Sequence, residues 1–471
     1  MNSTSATNVP YIVRNRNLKS GSVLFRSYFL LLTFLSLFTL LALQMYFYIS
    51  LPPWSPDLVS LLALLSSGTG LLHLILNKNV KIFGFVGIYA IYLSLAHLGF
   101  VFVDLVFEHS NEIMKTNYNL DWFYKDYRLI AVSLSGISIT CFVLCASFAS
   151  KYKAVQNKRL AITNDRNNYQ IIYMGGIALL VFSILFLMYN ILTGNLPLFS
   201  GYMNYRTAME DVPGYSIMLF CLSTGITFAF ASGTRKQIFW SAMIFIIPSL
   251  LLLISGNRGE VLYPLAAAIG VLFTRGIRIN FKLILGALLL FNVVIPLLQQ
   301  TRNQELTEFD IRETSVSFVD PMAEIGYTLR PLVYTVGWMQ KGEEHAYGSS
   351  YLLPINRLAS SFVPFIKKSE LEGNYYIKPR LPGQGYSVIA EAYFNFGLIG
   401  VIIVQIFLAL FIVILGERSS NIPMLALFGA IMAILINNIR NTFIFVPGQL
   451  LLLVGIFCLF FFLGKRKNIK L

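Results

Sequence analysis

The sequence predicts an all-α polytopic membrane protein of about 12 transmembrane helices. Three observations carry that prediction. The 471 residues are 56% hydrophobic and only 12% charged, whereas a soluble domain carries about 25% charge. Apolar runs close to or beyond about 18 residues, the length that spans a bilayer as a helix, recur along the whole chain. The basic residues fall in alternate loops, as the positive-inside rule requires.

The N-terminal arm carries Arg14, Arg16, Lys19 and Arg26 ahead of the first apolar run. That run is too long for a signal-peptide core and has no clear small-residue cleavage site, so it reads as a signal anchor. The spans are expected at 27–49, 57–76, 82–107, 129–149, 171–194, 215–232, 237–254, 261–274, 283–299, 391–416, 422–438 and 447–464. The eighth is short and is expected to tilt little or to extend into its flanks. Between them, "NKNVK", "KYKAVQNKRLAITNDRNN", "SGTRKQ", "TRGIRINFK", "GERSSN" and the tail "GKRKNIK" are basic or carry a lone arginine. These loops and both termini are therefore assigned to the cytoplasm. Most of the net charge of +14 is topology, and a nucleic-acid partner is not needed to explain it.

The chain then divides into a bundle of spans 1–9 (residues 1–299), an external segment (300–390) and a second bundle of spans 10–12 (391–471). The external segment holds nine Lys/Arg and ten Asp/Glu and is rich in aromatics and proline. A connection of that length is usually functional. Its composition fits an ordered cap with amphipathic helices on the membrane surface more than a disordered tether. Cys141, Cys145, Cys221 and Cys458 all fall in apolar runs, without metal-ligand spacing, and read as small core residues.

Topology leaves one group of charges unexplained, the arginines at span mouths on the external face: Arg206, Arg258, Arg302, Arg330, Arg357, Arg380 and Arg440. Arginine offers a planar fork of donors that grips phosphate or carboxylate and stays charged when partly desolvated. A single such arginine is more often a headgroup contact. Recurrence around one face points to a shared anion site. Arg258 lies in "SGNRGE", a tight turn between the seventh and eighth spans, with Glu260 two residues on.

At the start of the tenth span, Ser387, Glu391 and Asn395 are spaced i, i+4, i+8 and share one helix face. The preceding "PGQG" lets backbone N–H groups approach a ligand. Glu391 either pairs with an interior arginine and fixes packing or serves as a functional carboxylate. Other residues carry weaker signals. His73 and His97 are single histidines in apolar spans and read as satisfied core residues. Asp104 is a candidate proton site close to water, and His345 sits in the loop "GEEHAYG". Asp320 and Glu324 are a lone i, i+4 acidic pair, a poor basis for a metal site. There is no HExxH, GxxxxGKS or GxSxG motif, and no cytoplasmic loop is long enough to be a nucleotide-using domain.

The span count, the "SGNRGE" turn, the long external segment and "GQGYSVIAEAYFNFGLIG" before a late span together resemble the Wzy-type O-antigen and oligosaccharide repeat-unit polymerases of bacterial inner membranes. The resemblance covers most of the chain in layout and is specific in those two stretches. It implies a GT-C-like glycosyltransferase that uses lipid-linked rather than nucleotide sugars. Glycan on undecaprenyl pyrophosphate is transferred to another lipid-linked repeat unit, and undecaprenyl pyrophosphate leaves. It implies that Arg258, Arg302, Arg330, Arg357 and Arg380 hold the anionic lipid, with no cofactor, and it admits a polysaccharide chain-length regulator as partner. Guanidinium groups can stabilise a pyrophosphate leaving group without a metal. A carboxylate must then take the acceptor's proton; Glu391 is expected as that base, with Glu260 orienting Arg258. The competing readings are an O-antigen ligase, for which His345 is the candidate external histidine, and a lipid-linked oligosaccharide flippase. A flippase should carry charges deep in several spans, whereas these spans are nearly free of charge.

Overall fold

The computed structural model describes residues 19–107, 121–123, 125–151, 166–198, 202–277, 320–362, 365, 367, 377–381, 385–417 and 421–468. Every regular element among them is helical. The first half holds α1 (Lys19–Ser50), α2 (Pro56–Leu76), α3 (Phe85–Val106), α4 (Tyr127–Lys151), α5 (Arg166–Leu192), α6 (Tyr202–Asp211), α7 (Tyr215–Ser232), α8 (Arg235–Ile254) and α9 (Gly259–Thr274). The short α10 (Asp320–Gly326), α11 (Leu329–Gln340), α12 (Ser349–Phe362) and α13 (Ile377–Arg380) follow. Then come α14 (Val388–Phe411), α15 (Ile422–Asn438) and α16 (Val446–Asn468).

Nine helices among the described residues are long and apolar enough to cross a membrane, and α9 and α15 are shorter apolar helices. These eleven match eleven of the expected spans. The twelfth, 283–299, lies outside the described residues, as does Arg302. The chain is a multi-pass membrane protein. Its helices start where the sequence caps them. Ser55 accepts from the Leu58 N–H ahead of Pro56, and Asn421 accepts from the Met424 N–H. Thr234 and Gln237 form a reciprocal capping box at α8.

Helices α3 and α4 form the centre of the bundle, and most of their membrane-length windows are buried by other helices. The outer helices α1, α5 and α16 are mostly open to lipid. The elements between residues 320 and 362 do not stand apart from the bundle. Helix α10 crosses α3 so closely that a Cβ on Gly326 would collide with the backbone nitrogen of Phe100. Only glycine permits that crossing. Phe100, Trp122, Phe123 and Tyr327 interlock over it, with ring centroids 4.6–5.5 Å apart. Helix α12 carries Leu352 and Ile355 outward, each more than half exposed, and buries Leu353. That is the face pattern of a helix resting on an apolar surface.

Helix α14 is broken. Phe396 (φ −140°, ψ 18°) and Gly397 (φ 61°, ψ −147°) leave the helical region, and a positive φ there is a glycine conformation. The carbonyls freed by the break find partners in the loop after α11. The Ala346 and Tyr347 N–H groups donate to the Phe394 and Asn395 carbonyls, both at 3.0 Å. His345 Nδ1 donates to the Phe394 carbonyl at 3.3 Å, and the Gly348 N–H donates to Asn395 Oδ1 at 3.0 Å. Irregular backbone in a membrane helix persists only where protein satisfies it in this way.

Candidate functional site

The "SGNRGE" turn joins α8 to α9 at the face where α3, α8 and α15 end and α7, α9, α14 and α16 begin. The turn is roofed by the rest of the protein. Ser255, Asn257 and Arg258 are each less than a tenth exposed. Asn257 Nδ2 donates to the Tyr215 hydroxyl at 3.2 Å, and that hydroxyl lies 3.2 Å from the Tyr205 hydroxyl of α6. A buried cation requires a counter-charge. Arg258 finds it in Glu324 of α10, through an ion pair that is also a charge-assisted hydrogen bond. The sequence expectation is that Glu260 orients Arg258; the ion pair that the structure gives Arg258 is with Glu324.

Glu260 faces a second cation, Arg440, in the corner between α15 and α16. Arg440 also interacts with Glu324, Tyr263 and Tyr92. The Tyr92 and Tyr263 rings meet edge to face at 5.8 Å. Burial disfavours the Arg440 charge, but Tyr263, Tyr92 and Glu324 outweigh that cost and move its pKa up from the ordinary arginine value. Two guanidiniums and two carboxylates from α9, α10 and the α15–α16 corner therefore gather in one place, beside tyrosines of α3 and α9. Next to them lies a cavity of about 250 Å³ whose lining includes Glu260, Tyr263, Asn438 and Asn441.

Glu391 is buried on the other side of the same corner. Its Oε1 accepts from the Ser350 hydroxyl at 2.9 Å and its Oε2 accepts from the Phe443 N–H at 2.8 Å. Asn395 Nδ2 donates to Ser350 Oγ and to the Glu391 carbonyl, both at 2.7 Å. Ser387 caps α14, and its hydroxyl donates to His97 Nε2 at 2.7 Å. The three residues do share a helix face, and that face joins α14 to α3, α12 and the corner. Of the "PGQG" turn, Gly385 is described, and its backbone packs on the Arg440 carbonyl.

The remaining predicted arginines are dispersed. Arg380 pairs with Glu343 at 2.9 Å and lies over the Trp338 ring. Arg330 lies over Tyr327 and Tyr334, and Arg357 lies over Phe445 at 5.4 Å. Arg206 sits half-buried on α6. Asp104 pairs with Arg128 at 3.6 Å, and His73 bonds Thr33 at 2.9 Å. Sequence reasoning missed Glu324, Tyr92 and Tyr263 as members of the cluster. The only signal for Glu324 was its i, i+4 pairing with Asp320, which pointed to no arginine.

The family model described as "O-antigen polysaccharide polymerase Wzy" matches residues 28–469. The chain is 35% identical over 370 residues to Protein CapE of Staphylococcus aureus, covering 78% of this chain and 82% of that one. No solved structure matches it. A match across nearly the whole chain places this protein in the Wzy family of O-antigen polysaccharide polymerases.

Proposed function

We propose that the protein joins undecaprenyl-pyrophosphate-linked oligosaccharide repeat units on the external face of a bacterial inner membrane, with its termini in the cytoplasm. The observation that carries this reading is the buried Arg258–Glu324 ion pair, with Arg440 within electrostatic range of the same carboxylate, beside the cavity that Glu260 lines. Arg258 and Arg440 hold the donor's pyrophosphate, whose charge grows as the bond to the sugar breaks. Guanidinium groups already fixed in a poorly solvated site stabilise that charge with little reorganisation. No metal is needed in this scheme. Glu324 keeps the two cations together and aimed.

The acceptor hydroxyl attacks the anomeric carbon of the donor glycan, and the bond from that carbon to the pyrophosphate oxygen breaks. The electron pair leaves on undecaprenyl pyrophosphate, and the hydroxyl proton passes to a carboxylate. We assign that proton to Glu260, which lines a cavity. Both Glu391 oxygens already accept hydrogen bonds within the protein, so Glu391 serves as the brace of the corner. Arg206, Arg302, Arg330, Arg357 and Arg380 act as flanking contacts for glycan or headgroup. The test is product analysis with purified protein and lipid-linked repeat units. The reading expects a ladder of increasing repeat number, still on the carrier, with one undecaprenyl pyrophosphate released per bond. Single transfers to an acceptor that is not carrier-linked would overturn it.

A further inference from the structure

The cavity beside Glu260 has a lining that the pyrophosphate chemistry does not use. It lies between α7, α9, α15 and the first turn of α16. It reaches from Ser216 to Ser223, seven residues further along α7, or about 10 Å at the helical rise. The surrounding helices are apolar, yet Gln449, Asn438 and Glu260 face this space together with Phe220. Among the described residues no lysine or arginine lines it, so this lining is not built for phosphate. An acyl chain would bury these amides and the carboxylate without partners, at a cost.

We infer that this cavity is a subsite for a sugar of the repeat unit, seating a ring whose hydroxyls bond Gln449, Asn438 and Glu260. A sugar hydroxyl both donates and accepts. A side-chain amide offers both complements, and a carboxylate offers acceptors. Some of the lining is already committed to the fold. Asn438 Nδ2 donates to the Asn441 carbonyl at 2.9 Å, and the Ser223 hydroxyl donates to the Leu219 carbonyl at 3.1 Å. Asn438 therefore presents its Oδ1 acceptor, and Gln449 supplies the matching donor. A ring seated here has Glu260 at its edge and the Arg258–Glu324–Arg440 cluster beyond, so the cavity would select which sugar is presented for coupling. The inference rests on the proposed polymerase reading and adds the sugar recognition to it.

The probe is the repeat-unit oligosaccharide freed from its lipid pyrophosphate by mild acid. Its binding to the full-length protein in nanodiscs is followed by saturation-transfer NMR. Wild type and Arg258→Ala should both show transfer, because the probe carries no pyrophosphate. Ser223→Leu, which fills the cavity, should abolish it. Gln449→Ala, which removes one amide without adding bulk, should weaken binding and raise KM for the lipid-linked unit about 3- to 10-fold with kcat retained. Wild-type melting of each variant confirms the fold. The inference is overturned if wild type does not bind the probe, or if Ser223→Leu and Gln449→Ala bind and couple as wild type does. Normal polymerisation by Arg258→Ala would instead overturn the pyrophosphate assignment and leave the sugar site standing.

Discussion

Arg258 and Glu324, 66 residues apart in the sequence, form an ion pair that ties the α8–α9 turn to α10. Glu324 also lies within electrostatic range of Arg440. Replacing it by glutamine removes the counter-charge of the buried Arg258. Breaking a fully buried pair costs about 3–5 kcal/mol. With the Glu324 side chain 19% exposed, the expected loss for Glu324→Gln is nearer about 2–3 kcal/mol. Thermal unfolding in nanodiscs measures it, and an unchanged midpoint would show that the cations do not depend on this carboxylate.

Glu260 and Glu391 should behave in opposite ways. Glu260→Gln removes the proposed base and one carboxylate near Arg440, for which Glu324 remains. It should lower the melting temperature less than Glu324→Gln does and lose about 10²–10⁴-fold in turnover, the range that a positioned general base supplies. Glu391→Gln weakens the acceptors for Ser350 and the Phe443 N–H. It should lower the melting temperature while the folded fraction couples at near wild-type rate. Measuring both properties for both variants separates base from brace, and a reversed pattern would move the base to Glu391.

The dispersed arginines should matter little one at a time. Arg380 and its partner Glu343 are each about a third exposed, and exposed pairs contribute about 0–1 kcal/mol. Arg380→Ala and Arg357→Ala should therefore change polymer yield and melting only slightly, within about fivefold in rate. Gel profiles of the surface polysaccharide from complemented deletion strains read this directly. A collapse to single repeats in either variant would place that arginine in the reaction centre.

Chelation supplies a check on the charge chemistry. With guanidiniums carrying the pyrophosphate, coupling by purified protein in excess EDTA should run at the untreated rate. Loss of activity that returns with added magnesium would show that a divalent cation shares the charge.

The spans were legible because bilayer burial is written locally: each long apolar run among the described residues became a helix within a few residues of its expected ends. The break in α14 was not legible. "AYFNFGLIG" reads as one apolar run, and the departure at Gly397 depends on donors from residues 345–348, about 50 residues earlier. Arg258 could be singled out from its turn alone, since topology gave no reason for its charge. Its partner could not, because nothing near the turn in sequence encodes the Gly326–Phe100 crossing that seats α10. The i, i+4, i+8 face of Ser387, Glu391 and Asn395 was correctly read as a face. Its use in joining helices depended on Ser350, His97 and Phe443, which are distant in the chain.

If Arg258 grips the leaving pyrophosphate, the rate of undecaprenyl pyrophosphate release by purified Arg258→Ala protein on lipid-linked repeat units reports it. The expected result is a fall of about 10²–10³-fold, the cost of removing a donor from a preorganised anion site, in protein that is still inserted and folded. A rate within about threefold of wild type, less than the smallest effect expected of such a donor, would contradict it and leave the turn a structural one.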